Sequence, residues 1–201
     1  MFALVESGSI TKMLNGRRGI TIGDIQHPQQ IFTLWTEAER NAIGIYTVEM
    51  NESKKKDEQW YINTDITYTF SGGKVTGSYG DATAKAHADT LYTAQDETDG
   101  LGTEGDVKVE GLKTILIRDV KAQAEGELNR TDWYVVRKSE EDTAIPSAIT
   151  THRKAVRSKQ AAMETSITNA SDTPALETLY TYTKQEDGSV TRPLGEIPIL
   201  E

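Results

Sequence analysis

The sequence has no cysteine and only three histidines among its 201 residues. Without thiols there are no disulfides, no thiolate metal ligands and no cysteine nucleophiles. His27, His87 and His152 are far apart in the sequence and none has a second histidine four residues away, so we predict no metal site and no cofactor. No stretch approaches about 18 consecutive apolar residues, so no membrane span is predicted. The N-terminus also lacks the basic start and apolar run of a secretory signal peptide.

Apolar residues are scarce as well, at 36% of the chain. The length is typical of one large domain or two small ones. No G-x-S-x-G nucleophile motif is present. We therefore expect an elongated or assembly-dependent protein with a thin core, and not an enzyme.

The net charge of −9 is unevenly distributed. Residues 57–110 carry 11 acidic and 3 basic side chains, whereas residues 111–160 carry 7 acidic and 10 basic ones. An acidic middle segment opposes broad binding to a phosphate backbone, so we predict no nucleic-acid partner. The same segment favours attraction to a basic protein surface.

The first 80 residues are predicted to form a β-rich module. Thr36 and Glu39 have the spacing of a capping box and predict a short helix that ends by Gly44. The stretches around that helix are predicted to be extended: Phe2–Glu6, Ile20–Ile22, Gln26–Leu34 and Ile45–Met50.

A strand is predicted next because apolar and polar residues alternate strictly from Trp60 to Phe70. Gly72 and Gly73 predict a hairpin turn, and Lys74–Tyr79 would be the return strand. The apolar face of the hairpin, with Trp60, Tyr68 and Phe70, is predicted to be either core or a partner interface.

Residues 81–108 are predicted to be an acidic connector. We expect a short helix over Thr83–Ala94 and a mobile or partner-ordered loop over Asp96–Asp106. The loop matches G-x-G-x-x-G at Gly100–Gly105, but its acidic surroundings would repel a pyrophosphate. Its carboxylates lack the spacing of an EF-hand, which favours a solvated loop over a calcium site.

An antiparallel α-helical hairpin is predicted over residues 109–170. Apolar residues recur every four positions from Leu112 to Leu128, and Pro146 opens a second helix with an apolar stripe. Trp133 is predicted to fill the corner between the two helices. Arg153 and Arg157 share a face, which is predicted to be either solvated or docked on an acidic subunit, including residues 57–110 of another copy.

The remaining segment, residues 171–201, is predicted to be an extended C-terminal tail. Its sequence contains a turn signal at Glu186–Ser189 and prolines at positions 193 and 198. We expect its last part, Pro193–Glu201, to strap across a neighbouring subunit. The predicted fold class is therefore α+β, with a β-rich module, a helical hairpin and an extended tail.

Two regions resemble tail and tail-fibre assembly proteins of tailed bacteriophages. FALVESG, ITIGDIQHPQQIF and LWTEAERNAIGIY resemble, in that order, the N-terminal modules of tail-fibre-associated proteins. The stretch VKAQAEGELNRTDWYVVRKSEEDTAIPSAITTHRKAVR is similar to the helix pair of tail assembly chaperones, with its T-D-W corner. Residues 57–110 and 170–201 go beyond that pattern.

The resemblance implies a non-enzymatic virion subunit of the tail, made in the host bacterial cytoplasm, that binds other tail or fibre subunits and copies of itself. The residues predicted to make these contacts are Trp60, Tyr68, Phe70, Trp133, Arg153 and Arg157. One alternative is a transient tail-fibre assembly chaperone that is absent from the mature particle. A further alternative, a glycan-degrading tail enzyme, requires two carboxylates about 5–9.5 Å apart across a cleft.

Overall fold

The computed structural model describes residues 1–200 and divides into two compact units, with the division after Thr83. The first unit is built mainly of strands and the second mainly of helices, so the predicted α+β class is confirmed. The predicted module 1–80 lies in the first unit. The helical hairpin, the C-terminal segment and most of the connector lie in the second.

The first unit contains two short helices and most of the strands. Its elements are β1 (Phe2–Glu6), β2 (Ser9–Leu14), β3 (Ile20–Ile22), β4 (Ile25–His27), α1 (Ile31–Leu34), α2 (Glu37–Ala42), β5 (Ile45–Asn51), β6 (Tyr61–Ile62), β7 (Thr67–Ser71) and β8 (Lys74–Ser78). A further strand, β9 (Thr83–Ala84), lies at the division between the units.

Five of these strands form one sheet in the order β2-β1-β5-β8-β7. All neighbours are antiparallel except β5 and β8, which run parallel. The sheet curls, and its edge strands β2 and β7 approach each other. This curling gives the unit an inner and an outer face to cover.

Strand β1 is buried on both faces because its apolar residues are consecutive rather than alternating. Leu4 faces a core cluster with Ile31 and Phe32 of α1, whereas Ala3 faces a second cluster with Val48 and Val75. The chain around α1 was predicted to be extended up to Leu34. That prediction was wrong, because burial of Ile31 and Phe32 against β1 supports one helical turn.

The capping box predicted at Thr36 is confirmed. The Thr36 side chain accepts a hydrogen bond from the Glu39 N–H, and the Glu39 carboxylate accepts one from the Thr36 N–H. Helix α2 then ends before Gly44, which has a φ of +81° and whose carbonyl oxygen accepts the Val5 N–H at 2.8 Å. Strand β5 begins directly afterwards, so this turn joins α2 to the sheet.

The single strand predicted from Trp60 to Phe70 is broken into β6 and β7. Trp60 precedes β6 and is buried, but its same-parity neighbour Ile62 is exposed and Tyr61 is buried instead. The predicted parity holds from Ile66 through β7, where Tyr68 and Phe70 are covered. The Gly72-Gly73 hairpin and its return strand β8 are confirmed.

The second unit contains the longest helices. Its elements are β10 (Thr90–Leu91), α3 (Ala94–Thr98), β11 (Val107–Val109), α4 (Leu112–Asn129), α5 (Asp132–Glu141), α6 (Ser147–Asn169), α7 (Thr173–Tyr180), β12 (Thr183–Lys184) and β13 (Val190–Thr191).

Helices α4 and α6 form the predicted antiparallel pair. The apolar stripes of both are buried against each other, with Val120 and Ala124 on α4 and Val156, Met163 and Ile167 on α6. Each end of the pair is also joined by a polar contact. At one end the Lys113 ammonium donates to the Thr168 carbonyl at 2.8 Å, and at the other His152 lies 2.9 Å from the Glu127 carboxylate.

Three predictions about the second unit were wrong. The Asp-Trp segment does not form a tight corner but begins a separate helix, α5. Residues 83–94 do not form a helix, since β9 and β10 lie there and the helix α3 starts only at Ala94. Residues 171–201 are not wholly extended, because Asp172 caps α7 by accepting the Ala175 N–H at 2.8 Å.

We expect Gly44→Ala to destabilise the first unit more than Gly8→Ala. Both glycines have a φ close to +80°, where an alanine costs roughly 1 kcal/mol. A Cβ at Gly8 would meet open space, whereas one at Gly44 would lie 2.6 Å from the Val5 carbonyl oxygen. The substitution at Gly44 should therefore cost about 1–3 kcal/mol more. Chemical denaturation of both variants measures the difference, and equal losses would contradict the close approach.

Candidate protein-interaction surface of the helical unit

Three of the predicted contact residues belong to the core of the first unit. Trp60 is only 3% exposed, and Tyr68 and Phe70 pack against the buried cluster of Ala3 and its neighbours. Phe70 also packs against Tyr46, with ring centroids 4.8 Å apart. The sequence left open whether this face of the hairpin is core or a partner interface. The positions of these three side chains fit the core.

Arg153 was predicted to lie on an outward face of its helix, and this was wrong. The residue is buried, and its guanidinium donates to the Leu128 carbonyl at 2.8 Å and to Thr131 Oγ1 at 2.6 Å. It also lies 2.8 Å from the half-exposed carboxylate of Asp132. Arg153 therefore fixes the junction between α4 and α5, where the last carbonyls of a helix need donors.

Glu127 forms a second polar cluster at the same end of the helix pair. Its carboxylate accepts the Leu200 N–H at 2.8 Å and is contacted by Arg130 and His152. The tail is also held at Leu194, which is buried and whose carbonyl accepts from Lys159 at 2.7 Å. The tail, predicted to strap across a neighbour, thus folds back on the helices of its own chain.

Helix α5 has no buried residue along its ten positions. Trp133 was predicted to fill a corner, but half of its surface is exposed. Its indole packs on Tyr134 with centroids 3.8 Å apart, and the Arg137 guanidinium lies 4.7 Å from the indole centroid. Aromatic and arginine side chains held in this way on an exposed helix are typical of protein contacts.

A groove of about 270 Å³ runs between α5 and α6. Val135 and Ile145 provide its apolar lining, and Lys154 and Arg157 stand at its rim together with the buried Arg153. Neither Lys154 nor Arg157 has a hydrogen bond or an ion pair within the described chain. Arg157 is therefore the predicted arginine that remains available to a partner.

The acidic segment predicted to be a loose loop is a compact lobe, Thr90–Val109, in which β10 pairs with β11. Thr93 and Asp96 form a capping box at the start of α3. Gly100 follows the end of the helix with a φ of +72°, and its N–H donates to the Glu97 carbonyl while the Leu101 N–H donates to the Asp96 carbonyl. These are the two hydrogen bonds of a Schellman C-cap.

Asp96 joins the two sides of this lobe. Lys108 donates to its carboxylate at 2.6 Å, and the Thr93 N–H and hydroxyl donate to it as well. These hydrogen bonds, that of Lys108 first, lower the pKa of Asp96 to about 2. The sequence contained the signal for this structure in Thr93, Asp96 and Gly100, which have the spacing of a helix capped at both ends.

Two further observations concern metal ions and membranes. No group of three or more histidine, aspartate or glutamate side chains within residues 1–200 is arranged to hold a metal ion. None of the described helices combines the length and the apolar character needed to cross a membrane.

We expect Arg153→Leu to destabilise the second unit by roughly 1–3 kcal/mol, because Thr131 and the Leu128 carbonyl lose their donor in a buried place. The matched control is Arg157→Leu, four residues along the same helix but exposed and unpaired, which should change stability by less than about 0.5 kcal/mol. Urea unfolding compares them. A larger loss for Arg157→Leu would contradict the placement of Arg153.

We expect the second unit to lose stability in acid partly through Glu127. Hydrogen bonds from the Leu200 N–H and then from Arg130 lower the Glu127 pKa from its ordinary 4.5. Because folding lowers this pKa, the carboxylate stabilises the fold above pH 4.5, and the contribution is lost as the pH falls through the folded value.

Urea unfolding at neutral and acidic pH should therefore show a smaller acid loss for Glu127→Gln than for the unchanged chain. Glu125→Gln, an exposed position on the same helix, serves as the control and should behave like the unchanged chain. If Glu127→Gln loses as much stability in acid as the unchanged chain, the Glu127 carboxylate is not the source of that loss.

In comparisons with known proteins, no family model, no curated protein and no solved structure matches the chain.

Proposed function

We propose that this protein is a structural or assembly component of a bacteriophage tail that acts through protein–protein contacts. The proposal joins two kinds of support. The resemblance of residues 2–46 and 117–157 to tail-fibre-associated and tail assembly proteins supplies the setting. The surface of the second unit supplies the mode of action, which is binding and not catalysis.

The observation that carries the proposed mode of action is the exposure of helix α5. A ten-residue helix without a fully buried residue gains little stability from its own chain, since most helical stability in proteins comes from packing. Trp133 and Val136 on this helix are each about half exposed. Exposed apolar side chains grouped on one short element mark interaction sites.

The hydrogen-bonded junction at the start of α5 also supports a role in protein–protein contacts. The Arg153 guanidinium and Thr131 join the start of α5 to the end of α4, so the aromatic side chains stand on a fixed junction. An aromatic side chain that is already held in place loses little freedom on binding, which increases affinity. A subunit built into the virion is favoured over a transient chaperone, because the chain carries the acidic lobe and the C-terminal segment beyond the chaperone-like pattern.

We expect Trp133→Ser to reduce incorporation of the protein into phage particles at least about tenfold, as loss of a central aromatic contact does. Its stability should change little, because half of the indole is exposed. The measurement is quantitative mass spectrometry of purified particles, with melting of the purified variant alongside. The control is Val190→Ser, which removes a similarly exposed apolar side chain from β13 and should leave incorporation unchanged.

The same experiment separates the alternatives. Near-stoichiometric peptides of the unchanged protein in particles support a virion subunit, whereas presence in infected cells and absence from particles indicates an assembly chaperone. Absence of any association with tail or fibre subunits in infected cells would overturn the proposal.

A further inference from the structure

We propose that copies of this chain join head to tail, with Leu101 of one copy seated in the groove between α5 and α6 of the next. The inference rests on the contact role proposed above and deepens it by naming a second copy as a partner. Two surfaces of the second unit, complementary in shape and charge, carry it.

The first surface is the groove already described. Val135 and Ile145 offer an apolar lining with room for one aliphatic side chain, and the volume of about 270 Å³ lies below the usual range for small-molecule sites. Lys154 and Arg157 give its rim two positive charges that form no ion pair within the described chain. An occupant must therefore present an apolar side chain surrounded by negative charge.

The second surface is the tip of the acidic lobe and has that composition. Leu101 is 59% exposed just after the Schellman cap of α3. Glu97, Asp99 and Glu104 flank it along the chain, and none of them is paired with a cation in the part of the chain described here. We call Leu101 with these three carboxylates the acidic knob.

The acidic knob is rigid enough to dock as a unit. Helix α3 is capped at both ends, and Lys108 joins Asp96 to the opposite strand at 2.6 Å. A preformed knob loses little conformational entropy on binding. The carboxylates that the lobe presents form no ion pair, although Glu97 accepts the Glu104 N–H at 3.3 Å and Asp99 accepts from the Gln95 amide at 2.8 Å.

A second copy is the occupant because the two surfaces lie at opposite ends of α4. The acidic lobe is attached at the N-terminal end of α4, where the Asp89 carboxylate accepts hydrogen bonds from the Gly111 N–H at 2.6 Å and from the Thr114 hydroxyl at 2.8 Å. Helix α5 begins just after the C-terminal end. The 18 residues between span about 27 Å, and Leu101 remains exposed within its own chain.

In a head-to-tail contact the acidic knob of one copy meets the groove of the next without the reverse contact between the same two copies, so the contact is heterologous. Such contacts do not stop at a dimer but continue into a ring or a filament. Association should also weaken as salt is added, because the rim charges are exposed to solvent.

The test uses the purified full chain in sedimentation velocity over a range of concentrations. We expect reversible association of the unchanged chain, weakened at least about tenfold by Lys154→Glu with Arg157→Glu. Asp99→Lys with Glu104→Lys should weaken it similarly. The control for the groove variant is Lys12→Glu with Lys184→Glu, an equal change in net charge at two exposed positions elsewhere, which should leave association intact.

Mixing tests whether the acidic knob of one copy pairs with the groove of the next, and growth of the unchanged chain beyond a dimer distinguishes a head-to-tail contact from a symmetric one. The groove variant keeps an intact acidic knob and the charge-reversed knob variant keeps an intact groove, but their altered surfaces also attract each other. We therefore use Leu101→Glu as the knob-defective copy in the mixture with the groove variant. The only intact contact is then between the acidic knob of the groove variant and the groove of the Leu101→Glu copy. The mixture should therefore form dimers that grow no further.

A chain that carries both charge reversals restores complementary charges and should associate again. Monomeric sedimentation of the unchanged chain at all concentrations would overturn the inference, as would an equal loss in the charge control or no dimer in the mixture. None of these results depends on phage particles. Self-association can therefore fail while the proposed tail role stands, and the tail role can fail while self-association stands.

Discussion

The packing of α4 against α6 is the constraint on which the rest of the second unit depends. Apolar residues every fourth position on α4 keep one narrow face toward α6, and Ala124 has no side chain long enough to separate the helices at that level. The pair is long, and each of its ends is joined by a polar contact between the two helices. Within this unit, the acidic lobe and α5 are attached to opposite ends of the pair, and the tail is held beside it.

The buried charges at the α5 end give this junction its geometry. Arg153 and Glu127 lie close to the apolar interface, where an unpaired charge would be costly, and each is satisfied in part by a backbone group. The partners differ in origin, since Arg153 holds the end of α4 and Glu127 holds the tail. The direction of α5 and the position of the last residues of the tail are consequently set by hydrogen bonds at one place, and α5 itself needs no core of its own.

The sequence predicted what depends on local periodicity and missed what depends on distant partners. The helical stripes of α4 and α6, the Thr36 capping box and the Gly72-Gly73 hairpin follow from residues within a few positions of each other, and all are present. The burial of Arg153 could not be predicted, because its acceptors lie 22 and 25 residues away, at a junction with a helix that was not foreseen. Trp133 was predicted to fill a corner between two helices, whereas it lies on a third helix, α5, that has no buried residue. The acidic lobe is a different case, because a high density of carboxylates was taken as evidence for a loop while the caps at Thr93 and Gly100 pointed to a folded element.

The distinction between bonded and free charges connects this structure to function. Arg153, Asp96 and Lys108 are chemically much like Arg157, Glu97 and Lys154, yet the first group forms ion pairs within the fold and the second does not. The cost of burial explains the pairing of Arg153, since a charge that is shielded from water must be paired. Asp96 and Lys108 instead pair across a partly exposed lobe, where the ion pair joins a capped helix to a strand. The acidic knob places three carboxylates without ion pairs beside Leu101 at one end of α4, and the groove at the other end places Lys154 and Arg157 beside Val135 and Ile145. The proposed head-to-tail association uses these two surfaces, and it leaves the aromatic side chains of α5 available to a different partner.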